Sequence, residues 1–398
     1  MEHSIQLFKN KENCCGCGSC ANACPRNAIR MKEDECGFLY PVIQPELCVA
    51  CGLCRQVCAF QNETLFNSVT AVYAAADTDE KRLCATASGG VFSSVATQVL
   101  KENGVVFGSA WQKTENTLKA VHICASDEAS LRRIAGSKYV QSDTSEIFSQ
   151  VKDVLKTGRM VLFSGTPCQV DALYAYLQKK EYENLVTIDL ICHGVPNGRM
   201  FSDYLSVIEN HPVDNYIFRD KKHGWGLQYA YQYAYHGKTI TKRYPSDISS
   251  YYHHFLLGDT YRENCYQCKY ACEKRCADIT IGDYWGIEKE HPEFVGKNGK
   301  LDVQKGVSCV LVNSEKGRMF LDKYGKELTI FPSELSRVSK WNHQLNTPSK
   351  PGRQRDAVLQ LYRENGWKGV EAHFIKQRGL KYKIKKLLYS IQNRISEK

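Results

Sequence analysis

Between residues 69 and about 215 the chain alternates short apolar runs with longer runs that are apolar on one side only. Met160-Val161-Leu162-Phe163 reads as a buried strand, broken by Ser164-Gly165-Thr166-Pro167, after which Cys168 opens a helical run through Leu177. The unit repeats: Val186 to Ile191 is a strand, Cys192-His193-Gly194 the break, and Met200 to Ile208 a helix. Repeated β-loop-α units predict a parallel sheet with right-handed crossovers, and ligands bind in the loops after the carboxyl ends of such strands. Cys168 and Cys192 occupy matching points of two consecutive units, so neighbouring strands would put both sulfurs on one rim. Upstream, Ala87-Ser88-Gly89-Gly90 precedes an amphipathic helical run from Val91 to Leu100. Downstream, residues 225–243 predict a β-hairpin in which Tyr229, Tyr231, Tyr233 and Tyr235 alternate with smaller or polar residues, and His236-Gly237 makes the turn. Such a tyrosine face either packs, the ordinary case, or covers a flat ligand. Asp283 and Trp285 shape a turn after a further strand. At the C-terminal end Leu380, Ile384, Leu387, Leu388, Ile391 and Ile395 recur at helical spacing, with the lysines of Lys381 to Lys386 interleaved.

Nineteen cysteines change this picture. Cys14, Cys17, Cys20 and Cys24 read C-x2-C-x2-C-x3-C with Pro25 following, and Cys48, Cys51, Cys54 and Cys58 repeat the run. A [4Fe–4S] cubane takes a thiolate at each of four corners, and in paired runs the fourth cysteine crosses to the other cluster. The predicted sets are therefore Cys14, Cys17, Cys20 and Cys58 for one cluster, and Cys48, Cys51, Cys54 and Cys24 for the second. Zinc and disulfides compete, but structural zinc rarely uses eight cysteines in two such runs. Residues 13–60 thus form an internal repeat the size of a two-cluster ferredoxin module, folded around metal as much as around apolar side chains. Short strand material and a Gly37-Phe38 turn lie between its halves, and Gln61 to Ser68 is a polar linker. Cys15 and Cys36 fall outside the ligand pattern and read as spectators.

A third group, Cys265-x2-Cys268-x3-Cys272-x3-Cys276, fits zinc nearly as well as iron–sulfur when taken alone. Two clusters need an acceptor, however, and Cys168 and Cys192 already lie on a ligand-binding rim. The favoured reading joins Cys168, Cys192, Cys265 and Cys268 in a third [4Fe–4S] site. A local site using Cys272 and Cys276, and purely structural thiols, are the alternatives. Cys84, Cys124 and Cys309 read as ordinary buried cysteines.

The formal net charge of +10 is unevenly spread. Residues 1–62 carry six Lys/Arg and six Asp/Glu, whereas residues 375–398 carry eight basic residues against one acid, Glu397, a net +7. Basicity confined to a tail argues against nucleic-acid binding. It suits anionic lipid or an acidic partner, or else a helix docked on its own domain with solvated lysines. The segment from Met1 to Gln6 holds no apolar run of a signal peptide, and no stretch reaches the apolar length of a bilayer span. Cluster-type spacing implies reduced thiols, so the expected location is the cytoplasm, peripheral to the inner membrane face where the tail engages lipid.

Clusters pass single electrons, whereas most metabolites are reduced by two, so a cluster chain ending at a flavin is chemically sensible. No G-x-G-x-x-G follows a strand. Ser88-Gly89-Gly90 before the helix is a place where a phosphate would meet free amides, or a plain N-cap and turn. In Gly136-Ser137-Lys138-Tyr139, Lys138 would meet a phosphate or an anionic flavin, or simply be solvated.

Taken in order, Ser88-Gly89-Gly90-Val91, Gly136-Ser137-Lys138-Tyr139, Gly165-Thr166-Pro167-Cys168-Gln169, Cys192-His193-Gly194, Cys265-x2-Cys268 and the segment from Asp278 to Gly286 resemble the coenzyme F420 hydrogenase/dehydrogenase beta-subunit family. The resemblance covers roughly residues 70–340, and the ferredoxin module extends it to the N-terminus. It implies an α+β protein: a two-cluster ferredoxin-like module over 1–62, an α/β FAD- and [4Fe–4S]-binding domain over 69–345, and a basic helical tail over 346–398. It implies FAD contacts at Ser88, Gly89, Gly90, Ser137, Lys138, Tyr139 and Thr166, and electron exchange between clusters, FAD and a deazaflavin. Relatives of this architecture include ferredoxin-dependent reductases, one acting on a chlorophyll precursor, and accessory proteins of surface-polysaccharide synthesis. The expected donor is ferredoxin or reduced F420, and the substrate a small molecule. His193, beside a proposed ligand, would donate a proton to a reduced product or hydrogen-bond its loop. Two other classes stay open: a non-catalytic electron-transfer subunit of a larger complex, docked by the tail, and a colourless zinc-stabilised binding protein.

Overall fold

The computed structural model describes residues 6–396 apart from 116, 145 and 298. The export-signal reading of the first five residues, the side chain of Ile395, and Glu397 fall outside what is described.

The two cysteine runs fold alike. A glycine before the third cysteine of each, Gly18 (φ 73°) and Gly52 (φ 75°), takes the left-handed conformation and opens a single helical turn, Ser19–Ala23 or Leu53–Gln56. Between them β1 (Ile29–Glu33) pairs antiparallel with β2 (Leu39–Ile43), around a turn in which Asp34 accepts from the amides of Cys36 (3.0 Å) and Phe38 (2.9 Å). The module borrows its core: Cys36, Phe38 and Tyr40 pack into a cluster with Phe201 and Tyr204. Polar ties hold the first cysteine loop by its backbone. Gln141 donates to the carbonyl of Cys15 (3.0 Å), Thr144 to that of Cys17 (2.6 Å), and Asn197 to that of Cys36 (2.9 Å).

The strands that follow are β3 (Ala71–Asp77), β4 (Val105–Lys113), β5 (Leu118–Ala125), β6 (Val161–Gly165), β7 (Leu185–Leu190), β8 (Val213–Ile217), β9 (Gln228–Tyr235), β10 (Lys238–Pro245), β11 (Ile279–Asp283), β12 (Ser308–Val312) and β13 (Leu328–Ser333). Eight of them form one sheet in the order β13-β3-β12-β11-β7-β6-β4-β5. The centre is parallel as expected, through the pairs β4/β6, β6/β7 and β7/β11, and its strands are buried along most of their length. The flanks are antiparallel. β4 and β5 are joined by a tight turn closed by Thr114 and Thr117, too short for a crossover, and β12 runs against both β11 and β3. The predicted units stand where the periodicity placed them, with helices Pro167–Tyr176 and Gly198–Ile208 following β6 and β7. Gly165 lies opposite Asp189, so Cys168 and Cys192 leave neighbouring strand ends.

The tyrosine hairpin is β9 and β10, turned by His236 (φ 47°) and Gly237 (φ 74°) and joined by β8. Tyr229, Tyr231 and Tyr233 are buried against Tyr204 and Tyr216, so the stripe is packing; Tyr235 is exposed. The C-terminal helix, Arg355–Ser396, is interrupted at Gly366 and Gly379. Beyond Gly379 one face is held, by Tyr382 against Phe374 and by Asn393 exchanging hydrogen bonds with the backbone of Arg243 (2.9 and 3.1 Å). The other face leaves Leu380 71 % exposed, with Ile384, Leu387, Leu388 and Ile391 exposed in line with it. Among the described residues no helix is long and apolar enough to cross a membrane.

Candidate redox centre

The ferredoxin cysteines line two small cavities. One, of about 30 Å³, is bordered by Cys14, Cys17, Cys20 and Cys58; the other, of about 20 Å³, by Cys24, Cys48, Cys51 and Cys54. This is the crossed arrangement the spacing predicts, with Cys54 bordering both. Burial pushes the Cys20 thiol up to about 12, and Cys14 and Cys58 push in the same direction. Four mutually repelling thiols in one buried cradle become thiolates together only when a cationic core joins them, which is the chemistry of a cubane. Among the described residues no three His, Cys, Asp or Glu side chains converge on a point that would hold a single ion. The second cavity lies nearer the surface, and its Cys51 is exposed.

Cys168, Cys192, Cys265 and Cys268 come together at the rim. Cys168 sits at the start of the helix after β6, Cys192 just beyond β7, and Cys265 and Cys268 on and after the single turn Glu263–Gln267. Burial is the main cause raising Cys192 well above the ordinary thiol range, with Cys265, Cys168 and Cys268 adding to it. Burial likewise pushes Cys265 up to about 12 and Cys268 up to about 11, each with Cys168 as a neighbour. The other two cysteines of the group are otherwise engaged: Cys276 donates to the carbonyl of Pro167 (3.3 Å), and Cys272 to that of Lys274 (3.3 Å). The loop carrying all four is fixed by Arg275, which pairs with Asp189 of β7 at 3.0 Å and donates to the carbonyls of Tyr270 (2.9 Å) and Cys272 (3.3 Å).

Cys15, which falls outside the ligand pattern, lies between the two sites. It is fully enclosed, its thiol in hydrogen-bond contact with both Cys168 and Cys17, so it fills the gap between the first ferredoxin site and the rim site. Cys84 and Cys124, expected to be buried, are exposed, whereas Cys309 is buried as expected. Spacing gave no signal for Cys15, because its neighbour Cys168 is remote in sequence.

Against the rim lies a cavity of about 360 Å³. Cys15, Cys168, Cys265 and Thr166 border it on the sulfur side; Ser88, Gly90, Ser137, Lys138, Tyr139 and His193 border it elsewhere. Gly89 does not: its amide donates to Ser308 Oγ (2.9 Å), and a side chain there would strike the backbone of Ala75, so this glycine serves sheet packing. Gly90 (φ 73°) turns the chain into the helix Val91–Lys101, whose opening residues Val91, Phe92 and Ser93 face the cavity. The first amides of an α-helix lack intrahelical acceptors, so this end offers N–H groups to an anion.

Lys138 is half-buried and, among the described residues, pairs with no carboxylate. Its Nζ donates to the carbonyls of Arg133 (3.0 Å), Ala135 (3.0 Å) and Gly136 (3.2 Å), closing the end of the helix Glu128–Ile134. Burial in the cavity wall, reinforced by Arg133, lowers its pKa to about 7. Burial also holds the His193 imidazole below its ordinary value, against the opposing field of Asp283. Arg219 and Asp283, which sequence reasoning did not single out as a pair, meet at 2.6 Å in the same wall, with the guanidinium 5.0 Å from the Trp225 ring and 5.7 Å from that of Trp285. Thiols on one side, with a helix end, a lysine and a histidine around the cavity, fit an anionic aromatic cofactor such as FAD beside a cluster.

Residues 13–62 match a 4Fe-4S dicluster domain, residues 72–149 the N-terminal region of the coenzyme F420 hydrogenase/dehydrogenase beta subunit, and residues 158–335 its C-terminal region. An uncharacterized protein of Methanocaldococcus jannaschii is 27% identical over 195 residues, covering 41% of this chain and 52% of that protein, so the chain spans about half the length of the curated relative it matches. In the solved F420-reducing [NiFe] hydrogenase complex from Methanosarcina barkeri, studied by xenon derivatization, a chain 16% identical superposes with a TM-score of 0.39 over 79% of this chain and 95% of its own. The chain belongs to the coenzyme F420 hydrogenase/dehydrogenase beta-subunit family and carries a 4Fe-4S dicluster domain.

Proposed function

We propose that this chain is an iron–sulfur flavoprotein that exchanges electrons between three [4Fe–4S] clusters and FAD, reducing or oxidising a small-molecule or deazaflavin substrate. The observation that carries the reading is the shared wall: Cys168 and Cys265 border the cavity that Ser88, Gly90 and Lys138 also border. Clusters supply one-electron transfer, and a flavin joins it to two-electron chemistry. In this reading Cys14, Cys17, Cys20 and Cys58 hold an inner cluster, Cys24, Cys48, Cys51 and Cys54 an outer one, and Cys168, Cys192, Cys265 and Cys268 a third. The exposed Cys51 supports the outer site as the point of exchange with ferredoxin or reduced F420. The start of the helix Val91–Lys101 takes a phosphate, Ser137, Tyr139 and Thr166 shape the wall, and Lys138 supplies positive charge. His193, at the cavity edge, relays a proton at its ring nitrogen to a product formed beside it.

The tail supports attachment to an anionic membrane surface. Five aliphatic side chains line its outer face, with Lys381 and Lys383 exposed among them, while Tyr382 and Asn393 hold the inner face to the body. Such attachment suits a role beside surface-polysaccharide synthesis. The test is turnover by the purified chain alone under anaerobic conditions. Reduction of a deazaflavin or other small acceptor supports the enzyme reading. Relay of electrons only when a second protein is added would instead support a non-catalytic subunit.

A further inference from the structure

Arg262 is fully buried, and unlike the other enclosed arginines it meets no carboxylate among the described residues. Arg219 has Asp283 at 2.6 Å, Arg275 has Asp189 at 3.0 Å, and Arg355 has Glu263 at 2.6 Å. Arg262 has only neutral acceptors: Gln141 Oε1 (3.0 Å) and the carbonyls of Leu39 (3.1 Å) and Cys14 (3.2 Å). Its Nε is buried without a partner, and its guanidinium lies 4.5 Å from the centre of the Tyr40 ring. A lone charge in such a setting is strongly unfavourable unless an anion joins it.

The anion's place follows from what surrounds the guanidinium. Gly16, between Cys14 and Cys17, packs so closely that a Cβ there would lie 2.8 Å from the guanidinium carbon. Its own backbone carbonyl accepts the amide of Cys265 (3.1 Å), and the residue borders the large cavity. The cation therefore stands between the inner ferredoxin site and the rim site. A cubane with four thiolates is anionic, and more so once reduced. Among the described residues the outer site has no comparable buried cation: Arg26 and Arg55 near it are exposed to solvent, where a charge is heavily screened.

We infer that Arg262 is the counter-charge built in for the inner and third clusters, raising both reduction potentials relative to the outer cluster and so biasing electrons inward, from the surface to the cavity. This rests on the three-cluster reading above. Arg262 ligates nothing; it acts on the clusters through its charge.

The test is an anaerobic redox titration of the iron-loaded protein followed by electron paramagnetic resonance, comparing wild type with Arg262→Gln and Arg262→Lys. In Arg262→Gln two of the three midpoints fall, so that at the wild-type midpoint those clusters pass from half reduced to mostly oxidised, while the outer one stays. Arg262→Lys restores them. Unmoved midpoints, or an equal shift of all three, would overturn the inference. Should Arg262→Gln lose iron, loss of the inner and third clusters with retention in Arg262→Lys supports it, and loss in both variants overturns it in favour of a purely steric role. A wild-type protein holding only the two ferredoxin clusters would sink the third-cluster reading instead, and the inner midpoint alone would then decide the role of Arg262.

Discussion

Replacing Lys138 by methionine or arginine separates the electrostatics of the cavity from its shape. The lysine is held by three carbonyls and no carboxylate, and burial brings its pKa from 10.5 down to about 7. A bound anion reverses that burden by favouring the charged form. The sign follows: below pH 7 the ammonium is present before and after binding, and anion affinity is at its highest. Above pH 7 a proton must be taken up on binding, and affinity falls about tenfold per pH unit until the pKa of the occupied state is reached. Between pH 6 and pH 9 the loss approaches roughly a hundredfold, about 2.8 kcal/mol. Other groups near the cavity leave this window largely clear. His193 is lowered by burial, His122 is lowered to about 4, Asp283 is paired with Arg219, and arginine stays charged throughout. Lys221, lowered to about 8, bonds the carbonyls of Leu83 and Ser88 from behind the loop, and its methionine variant should leave the step near pH 7 in place. Binding of FAD to flavin-depleted protein, read by quenching of its fluorescence from pH 6 to 9, measures this directly. Wild type loses affinity above pH 7; Lys138→Met binds weakly at every pH; Lys138→Arg binds tightly at every pH. A wild-type curve flat across the window, or a Lys138→Met curve that still bends near 7, would refute the reasoning.

Cys192→Ala and Cys268→Ala should each lose about a third of the iron, whereas Cys272→Ala and Cys276→Ala keep it; iron analysis of the four proteins checks this. Arg275→Met leaves the carboxylate of Asp189, fully buried, without its partner, and should cost about 3–5 kcal/mol in chemical unfolding. The double variant with Asp189→Asn should recover part of that loss, and equal losses in both proteins would argue that the pair contributes nothing. Truncation after Gly379 removes the exposed aliphatic face, and with it the contact of Tyr382 with Phe374, while Trp367 stays buried upstream. Flotation with anionic liposomes should then fall to background, and unchanged binding would remove the membrane assignment.

The cysteine chemistry was legible because cubane ligation is local: Cys14, Cys17 and Cys20 need only a short loop and two left-handed glycines, Gly16 and Gly18, to face a common centre. The β6 and β7 units were legible for a similar reason, since burial on both faces writes a continuous apolar run. What escaped is what the fold assembles from distant segments. Arg262 meets Cys14 across 248 residues, and Arg219 meets Asp283 across 64. Lys138 looked like a solvated cation because nothing in Gly136-Ser137-Lys138-Tyr139 reveals that its ammonium folds back on the preceding helix. Gly89 and Gly90 read as one motif, yet one packs on β3 and the other turns the chain toward the cavity. The antiparallel flanks of the sheet were hidden because a strand's own residues do not encode the direction of its neighbour.

The central claim is that three cubanes lead to one flavin-binding cavity. It is tested most directly by purifying the protein without oxygen and measuring iron, acid-labile sulfide and released flavin per chain. The account predicts about twelve iron, as many sulfides and one FAD. About eight iron with no flavin, or zinc in place of the third cluster, would contradict it.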